Sequence, residues 1–276
     1  EIAWIRCRAL RAWVASAHGR LVRRQDLLPR EFWLEEEIND RWCQQQRFVV
    51  SHAWLSKMHP DPNGEHLQKI VAELNRCKAK DDDVVFIDYC CLYQTDLTHA
   101  DALALESGQR LPEGHIALRT PAENAAFGRA MQMMHELYTS ELSKVVIVPD
   151  VPDDAANNTP YYTRGWCFFE FAISTDNWRV VNDSDGAVTE LLNMSKAPLD
   201  DKTFTRDFQL KSFTNTGDYQ TVLTMYKELY ETESGRNNRA AWCGIAKILS
   251  YIMTKFAMEV VSLWTCEACR RKFVDV

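Results

Sequence analysis

Three short apolar runs, each closed by polar residues, constrain this chain most. They are RFVVS (Arg47–Ser51), DVVFID (Asp83–Asp88) and KVVIVPD (Lys144–Asp150). Their apolar residues are consecutive and rich in valine and isoleucine, the pattern of strands covered on both faces of a parallel sheet. Helical spacing recurs between them. Leu67, Ile70, Val71 and Leu74 follow the first run, and Phe127, Ala130, Met131, Met134, Leu137 and Tyr138 precede the third. A further helix is predicted from about Thr163, and WRVV (Trp178–Val181) reads as a fourth strand. Strand and helix in alternation imply an α/β fold, a parallel sheet with helices on both faces. Beyond Asn182 the pattern turns mainly helical, with Tyr219, Val222, Leu223, Tyr226 and Leu229 marking one helix and Ala241, Ile245, Ile248, Leu249, Ile252 and Phe256 another. Before the first run, Trp4, Ile5, Leu10, Trp13 and Val14 predict an amphipathic helix with an arginine-rich face. It reads either as packed on the domain or as an arm for a membrane surface or partner. The expected organisation is a helical arm over 1–45, an α/β domain over 46–182, and a mainly helical extension or subdomain over 183–276.

Composition narrows the function classes. With 276 residues, 46% of them hydrophobic and 26% charged, the chain can build a normal core. A net charge of −7 argues against nucleic acid as a partner, because phosphate neutralisation needs clustered Lys and Arg. No run approaches the roughly 18 apolar residues of a membrane span, and no secretory signal is evident. The nine cysteines are irregularly spaced, which predicts reduced thiols and a cytoplasmic setting. Cys266 and Cys269 form a CxxC without a second pair, so no metal site is expected, with a zinc half-site as the alternative. Neither the P-loop nor the GxGxxG fingerprint occurs.

In an open parallel sheet, ligands bind beyond the carboxyl ends of the strands. The loops after Ser51-His52, Asp88 and Asp150 should therefore form one rim. The stretch YYTRGWCFFEFAIS (Tyr161–Ser174) carries a single acid, Glu170, in the opening turns of a predicted helix near that rim. Trp166, Glu170 and Ile173 share a helical face, so the carboxylate keeps apolar company. Burial raises the pKa of such a group unless a cation compensates, and Arg164 at the helix start is the nearest one. Two readings stand: a carboxylate placed for chemistry, or one satisfied by backbone N–H groups. Asp88, His52 and Trp54 divide in the same way, between pocket residues and a strand-end cap, a loop histidine and a core aromatic. Cys90 and Cys91 have no evident base for thiol chemistry.

These residues carry a resemblance. FIDYCCLYQ (Phe86–Gln94) resembles the D-x-x-C-x-x-Q signature of fungal heterokaryon-incompatibility (HET) domains, with Asp88, Cys91 and Gln94 at its three positions. VVSHAWL (Val49–Leu55) resembles that family's opening strand, S-Y-x-W, with His52 in the aromatic position. RGWCFFE (Arg164–Glu170) resembles its R-G-W-T-x-Q-E, with Cys167 and Phe169 replacing Thr and Gln. The same segment resembles the S-x-W-C-x-x-E-L stretch of Toll/interleukin-receptor (TIR) domains through Trp166, Cys167 and Glu170. The resemblance spans residues 47 to 181. It implies a flavodoxin-like (TIR-like) sheet of order 2-1-3-4-5. It further implies cleavage of NAD at the nicotinamide–ribose bond, with Glu170 as the catalytic carboxylate, water as the default acceptor and cyclisation of the ADP-ribose equally open. Ser51, His52, Trp54, Asp88, Tyr93 and Trp166 would then bind the substrate, with Trp54 or Tyr93 stacking on nicotinamide. NAD is a substrate in this reading, so no cofactor is expected. The implied setting is stress, self-recognition or innate-immunity signalling, with a homo-oligomer or signalling partner. The rival expectations are a non-catalytic assembly module and a nucleotide-binding sensor of the same fold. The long polar stretch from Thr95 to Asn124 reads as a lid or an insertion.

Overall fold

The three apolar runs pair as strands at the centre of the protein. The computed structural model describes residues 2–16, 19–33, 45–95, 104, 107, 109, 119–194, 201–213 and 217–234. Strands β1 (Ile5–Arg6), β2 (Arg47–His52), β3 (Val84–Phe86) and β4 (Ser143–Val148) form a small mixed sheet of order β1-β3-β2-β4. β2 runs parallel to both β3 and β4, and β1 is antiparallel to β3. Phe48, Val49, Val50, Val84, Val85, Phe86 and Val145 to Val148 are all buried, as their unbroken apolar pattern requires.

Eight helices occur among the described residues. They are α1 (Cys7–Ala15), α2 (Glu65–Arg76), the single turn α3 (Asp88–Cys91), α4 (Pro121–Thr139), α5 (Gly165–Asp176), α6 (Gly186–Met194), α7 (Asp201–Phe208) and α8 (Asp218–Ser234). Local chemistry sets several starts. The Asp61 carboxylate accepts from the backbone N–H groups of His66 and Leu67, both at 3.0 Å, and fixes the first turn of α2. Thr120 and Glu123 form a reciprocal capping box ahead of α4, with Pro121 at the first helical position. Successive strand residues point to opposite faces. His52 reaches α2 through His66, whereas Ser51 reaches α5 through Glu170, so these helices cover opposite faces of the sheet.

Two elements differ from expectation. Ile5 and Arg6 leave the predicted N-terminal helix to form an antiparallel edge strand, with α1 packed on α2. Two residues are too few to show a strand period, and through them the start of the arm joins the sheet. WRVV forms only one parallel bridge, Val180 to Val145, and no strand. Trp178 adopts φ +57°, a left-handed value that ends α5 and leaves the indole 84% exposed. The outer edge of β4 is instead closed by the Asn182 amide, which accepts from Ile147 N at 3.0 Å and donates to Ile147 O at 2.7 Å.

Contacts divide the chain into two compact units, Glu1–Met225 and Tyr226–Val276. The aromatic face of α5 explains why residues beyond 182 stay with the sheet. Phe204 of α7 stacks on Phe168 with ring centroids 5.2 Å apart, and Phe208 stacks on Phe204 at 5.0 Å. The second unit, Tyr226–Val276, is described only to Ser234, where α8 ends. The predicted helix from Ala241 to Phe256, and Cys266 and Cys269, lie outside the described residues.

Gly165 permits this packing. A Cβ there would lie 1.8 Å from Phe213 Cζ and 2.2 Å from its Cε1. Phe213 in turn packs edge-on against Phe208 and Tyr219. Gly165→Ala should therefore displace the ring and lower stability by roughly 1–3 kcal/mol in chemical denaturation, although alanine is the better helix former.

Candidate functional site

The carboxyl ends of β2 and β3 and the first turns of α5 converge on one cavity of about 720 Å³. His52, Trp54, Asp88, Trp166 and Glu170 line it, with Lys57 and Arg119 as its other charged groups besides Arg164 and Asp218. α4 contributes an apolar wall of Phe127, Met131 and Met134, and Tyr138 at its end. This volume lies within the range of small-molecule sites, which pair apolar walls with a few fixed polar groups.

Glu170 is 7% exposed and forms part of the cavity lining. Ser51 Oγ donates to Glu170 Oε2 at 2.5 Å, and Tyr161 Oη lies 2.6 Å from the same Ser51 oxygen. With the serine proton spent on Glu170, the tyrosine is the donor to Ser51. The single hydroxyl proton of Tyr138 serves either Val50 O, at 3.2 Å, or the Glu170 carboxyl. Burial dominates the electrostatics and pushes the Glu170 pKa up to about 8. The negative charge of Asp88 adds to the rise, while the Ser51 and Tyr138 hydrogen bonds oppose it.

Arg164 does not compensate this carboxyl. Its Nη1 donates to Trp54 O at 2.5 Å, its Nε to Thr159 O at 2.8 Å, and its Nη2 to Asn157 O at 2.9 Å. One guanidinium thus ties the loop after β2 to the loop before α5, a use suited to its forked donors. All four residues of this clamp, Trp54, Asn157, Thr159 and Arg164, line the cavity.

Asp88 opens α3 and turns one side chain to three donors. Trp54 Nε1 donates to Oδ2 at 2.8 Å, Tyr89 N to Oδ1 at 2.6 Å, and His52 Nε2 lies 3.1 Å from Oδ1. Burial pushes its pKa up, but the His52 hydrogen bond and charge, with the Trp54 and Tyr89 donors, outweigh that and hold it below the usual value. The site therefore contains two carboxyl groups in opposite regimes. Trp166 donates its indole N–H to Asp218 Oδ2 at 2.9 Å and leaves its ring on the cavity wall.

Two expected binding residues sit elsewhere. Ser51 is fully buried behind Glu170, because strand alternation turns it to the face opposite His52. It can touch a ligand only through the carboxyl it holds. Tyr93 follows the end of α3, where the chain becomes extended, so Leu92 and Gln94 face the cavity while Tyr93 turns away. The Arg24 guanidinium covers its ring at 5.1 Å.

The other motif residues serve local structure. Gln94 Nε2 donates to Asp88 O at 3.2 Å and Leu92 O at 3.0 Å, closing the turn after α3. Cys91 Sγ accepts from Ile87 N at 3.2 Å, and burial pushes its thiol pKa up to about 12. Cys90 and Cys167 are likewise raised well above the ordinary value by burial, so none of these thiols is a ready nucleophile. Among the described residues no group of three or more His, Cys, Asp or Glu is placed to hold a metal, and no helix is long and apolar enough to cross a membrane. Sequence reasoning passed over Tyr138, Tyr161 and His66 as functional. Tyr138 and His66 each interrupt an otherwise apolar helical face with a polar group, which was the available signal.

Comparison of the chain with protein-family models, with curated proteins and with solved structures returns no match.

Proposed function

We propose that this protein is a TIR/HET-like signalling enzyme that cleaves NAD at the nicotinamide–ribose bond, with Glu170 as the catalytic carboxylate. The observation that carries this reading is a carboxyl group set by Ser51 on the wall of a large cavity, beside two indoles and a second carboxylate. In the reaction the C1′–N bond breaks and its electron pair leaves on the nicotinamide nitrogen, which becomes neutral. The ribose carbon gains oxocarbenium character, and an ionised Glu170 stabilises that charge in surroundings of low dielectric. Water then adds to C1′ and releases a proton, giving ADP-ribose. Trp54 or Trp166 offers the flat surface for nicotinamide, and Asp88 an acceptor for ribose hydroxyls. A flavodoxin-like arrangement is supported by the parallel order β3-β2-β4 and by Val180 bridging to β4 on the side away from β2. A cytoplasmic setting and a homo-oligomeric or signalling partner belong to the same proposal.

The test is incubation of the full chain with NAD while nicotinamide release is followed, beside Glu170→Ala. Release should fall by about 10²–10³-fold in the variant, the scale of removing one electrostatic stabiliser. In the wild type, kcat/KM should climb with pH, roughly tenfold per unit below about 8, since only the ionised carboxyl acts. Equal release by both proteins would remove Glu170 from catalysis.

The deep burial of Glu170 and its bonds to Ser51 and Tyr138 favour one second reading, a non-catalytic module in which the carboxyl is structural. No release under any condition, together with a stability loss in Glu170→Ala, would support it.

A further inference from the structure

We propose that His52 and His66 act as one proton-binding unit, a singly charged imidazole pair that holds Asp88 as a fixed carboxylate at the cavity wall. His66 is then a positioning residue that touches no ligand and sets the charge state of a residue that does. The proposal deepens the reading above and takes from it only the assignment of the cavity as the active site.

The hydrogen-bond partners dictate where the protons lie. His66 Nε2 is 2.9 Å from the backbone oxygen of Asp150, which can only accept. That nitrogen therefore carries a hydrogen. At the other end of the chain, His52 Nε2 faces Asp88 Oδ1 at 3.1 Å. Asp88 already accepts from Trp54 Nε1 and from Tyr89 N, so it is committed as a carboxylate and His52 Nε2 is the donor. Between the rings, His52 Nδ1 and His66 Nδ1 stand 3.2 Å apart. Two bare nitrogens at that distance would place lone pairs against each other with no water between, so one hydrogen lies there. Three ring hydrogens on two imidazoles amount to one positive charge shared by the pair. Whichever ring formally owns the central proton, the count is unchanged.

The surroundings fit a single charge and resist a second. Both rings are buried, which disfavours two cations at this spacing. Burial, and then the charge of His52, lowers the His66 pKa to about 4, so His66 is the neutral ring of the pair. The other titratable groups around the pair are accounted for. The Asp61 carboxylate accepts the N–H groups of His66 and Leu67. His59 donates to Leu21 O and accepts from Asp61 N, and so is neutral. Asp150 forms an ion pair with Lys69, and Cys167 donates its thiol to His52 O. Glu170 lies on the opposite face, held by Ser51.

The chemical consequence is a division of labour. Asp88, 31% exposed at its side chain, presents a permanent negative charge to the cavity. It is suited to hydroxyl donors or a cationic ring on the ligand. Glu170 is left as the carboxyl whose protonation responds to what binds.

The experiment is long-range 1H–15N correlation of the histidine rings in the uniformly labelled full chain, from pH 5.5 to 8.5, with Asp88→Asn as the second protein. In the wild type, His66 should show a protonated Nε2 throughout. His52 should show a protonated Nε2 as well, with one further hydrogen held between the two Nδ1 atoms, at pH 7. In Asp88→Asn the pair should lose its extra proton at least one pH unit lower. A His52 or a His66 found with bare Nε2 at pH 7 overturns the proposal. So does an identical titration in both proteins. Nicotinamide release plays no part in this readout, so failure of NAD cleavage would leave the expected spectra as they are.

Discussion

Glu170→Gln is expected to make the folded protein more stable than the wild type at pH 8.5, and to give little or no advantage at pH 5. Burial holds the folded-state pKa near 8, against an ordinary value of 4.5. Between these values the folded chain keeps a proton here that the unfolded chain has lost. Raising the pH across that window therefore removes stability, and below 4.5 the contribution is fully present because both states are protonated. Each pKa unit is worth about 1.4 kcal/mol, so the wild type loses on the order of 4 kcal/mol from this group by pH 8.5. Glutamine keeps the shape, accepts the Ser51 hydrogen bond through its amide oxygen, and carries no charge to desolvate. Chemical denaturation of both proteins across pH 5 to 8.5 checks this, since the difference between them cancels the other titrating groups. A difference that stays flat over the window would show that Glu170 titrates normally and would remove the buried-acid description. A rise in stability accompanied by loss of nicotinamide release would mark a carboxyl retained for chemistry at the expense of the fold.

The sheet was legible because each central strand is buried on both faces, and burial on both faces leaves an unbroken apolar run. The start of α4 was not read, because its capping box, Thr120-Pro121-Ala122-Glu123, lies inside the polar stretch from Thr95 to Asn124. What was hidden depends on direction rather than composition. β1 is two residues long and carries no period of its own. Trp178 looks like the start of a strand by propensity, yet its positive φ turns the chain out, and a side-chain amide from Asn182 takes the place of the missing strand. Propensity does not encode that exchange.

The candidate site shows the same division. His52, Asp88, Trp54, Trp166 and Glu170 were nominated from strand ends and a helix face, and they share one cavity. Ser51 and Tyr93 were nominated beside them and face away, each by one step of an extended chain. A one-residue step reverses a side chain, and a motif match does not resolve it. The conformational roles of Cys91 and Gln94 show how motif residues can shape the turn that presents Asp88 without touching a ligand.

Arg164→Ala is the second large effect expected, and it separates the sequence reading of this cation from the structural one. By position alone Arg164, six residues before Glu170, is too far for an ideal same-face pair but can reach the helix entrance. Its guanidinium is instead spent on the carbonyls of Trp54, Asn157 and Thr159, with Phe168 N accepted by its own carbonyl oxygen at 2.9 Å. Alanine would leave three carbonyl oxygens without that donor and untie two loops that line the cavity. Charge-assisted bonds of this kind contribute about 1.5–3 kcal/mol each, and they act as a unit here, so a loss of roughly 3–5 kcal/mol is expected. Arg164→Lys should recover less than half, because an ammonium lacks the planar fork that spans three acceptors. Denaturant midpoints at constant m-value measure the loss, and amide exchange should quicken at Asn157 and Arg164 before it does in β2. The apparent pKa of Glu170, followed through the pH dependence of stability, should hold near 8 in both variants. A rise of more than one pH unit would reinstate Arg164 as the partner of the carboxyl, and a stability loss below 1 kcal/mol would dismiss the clamp.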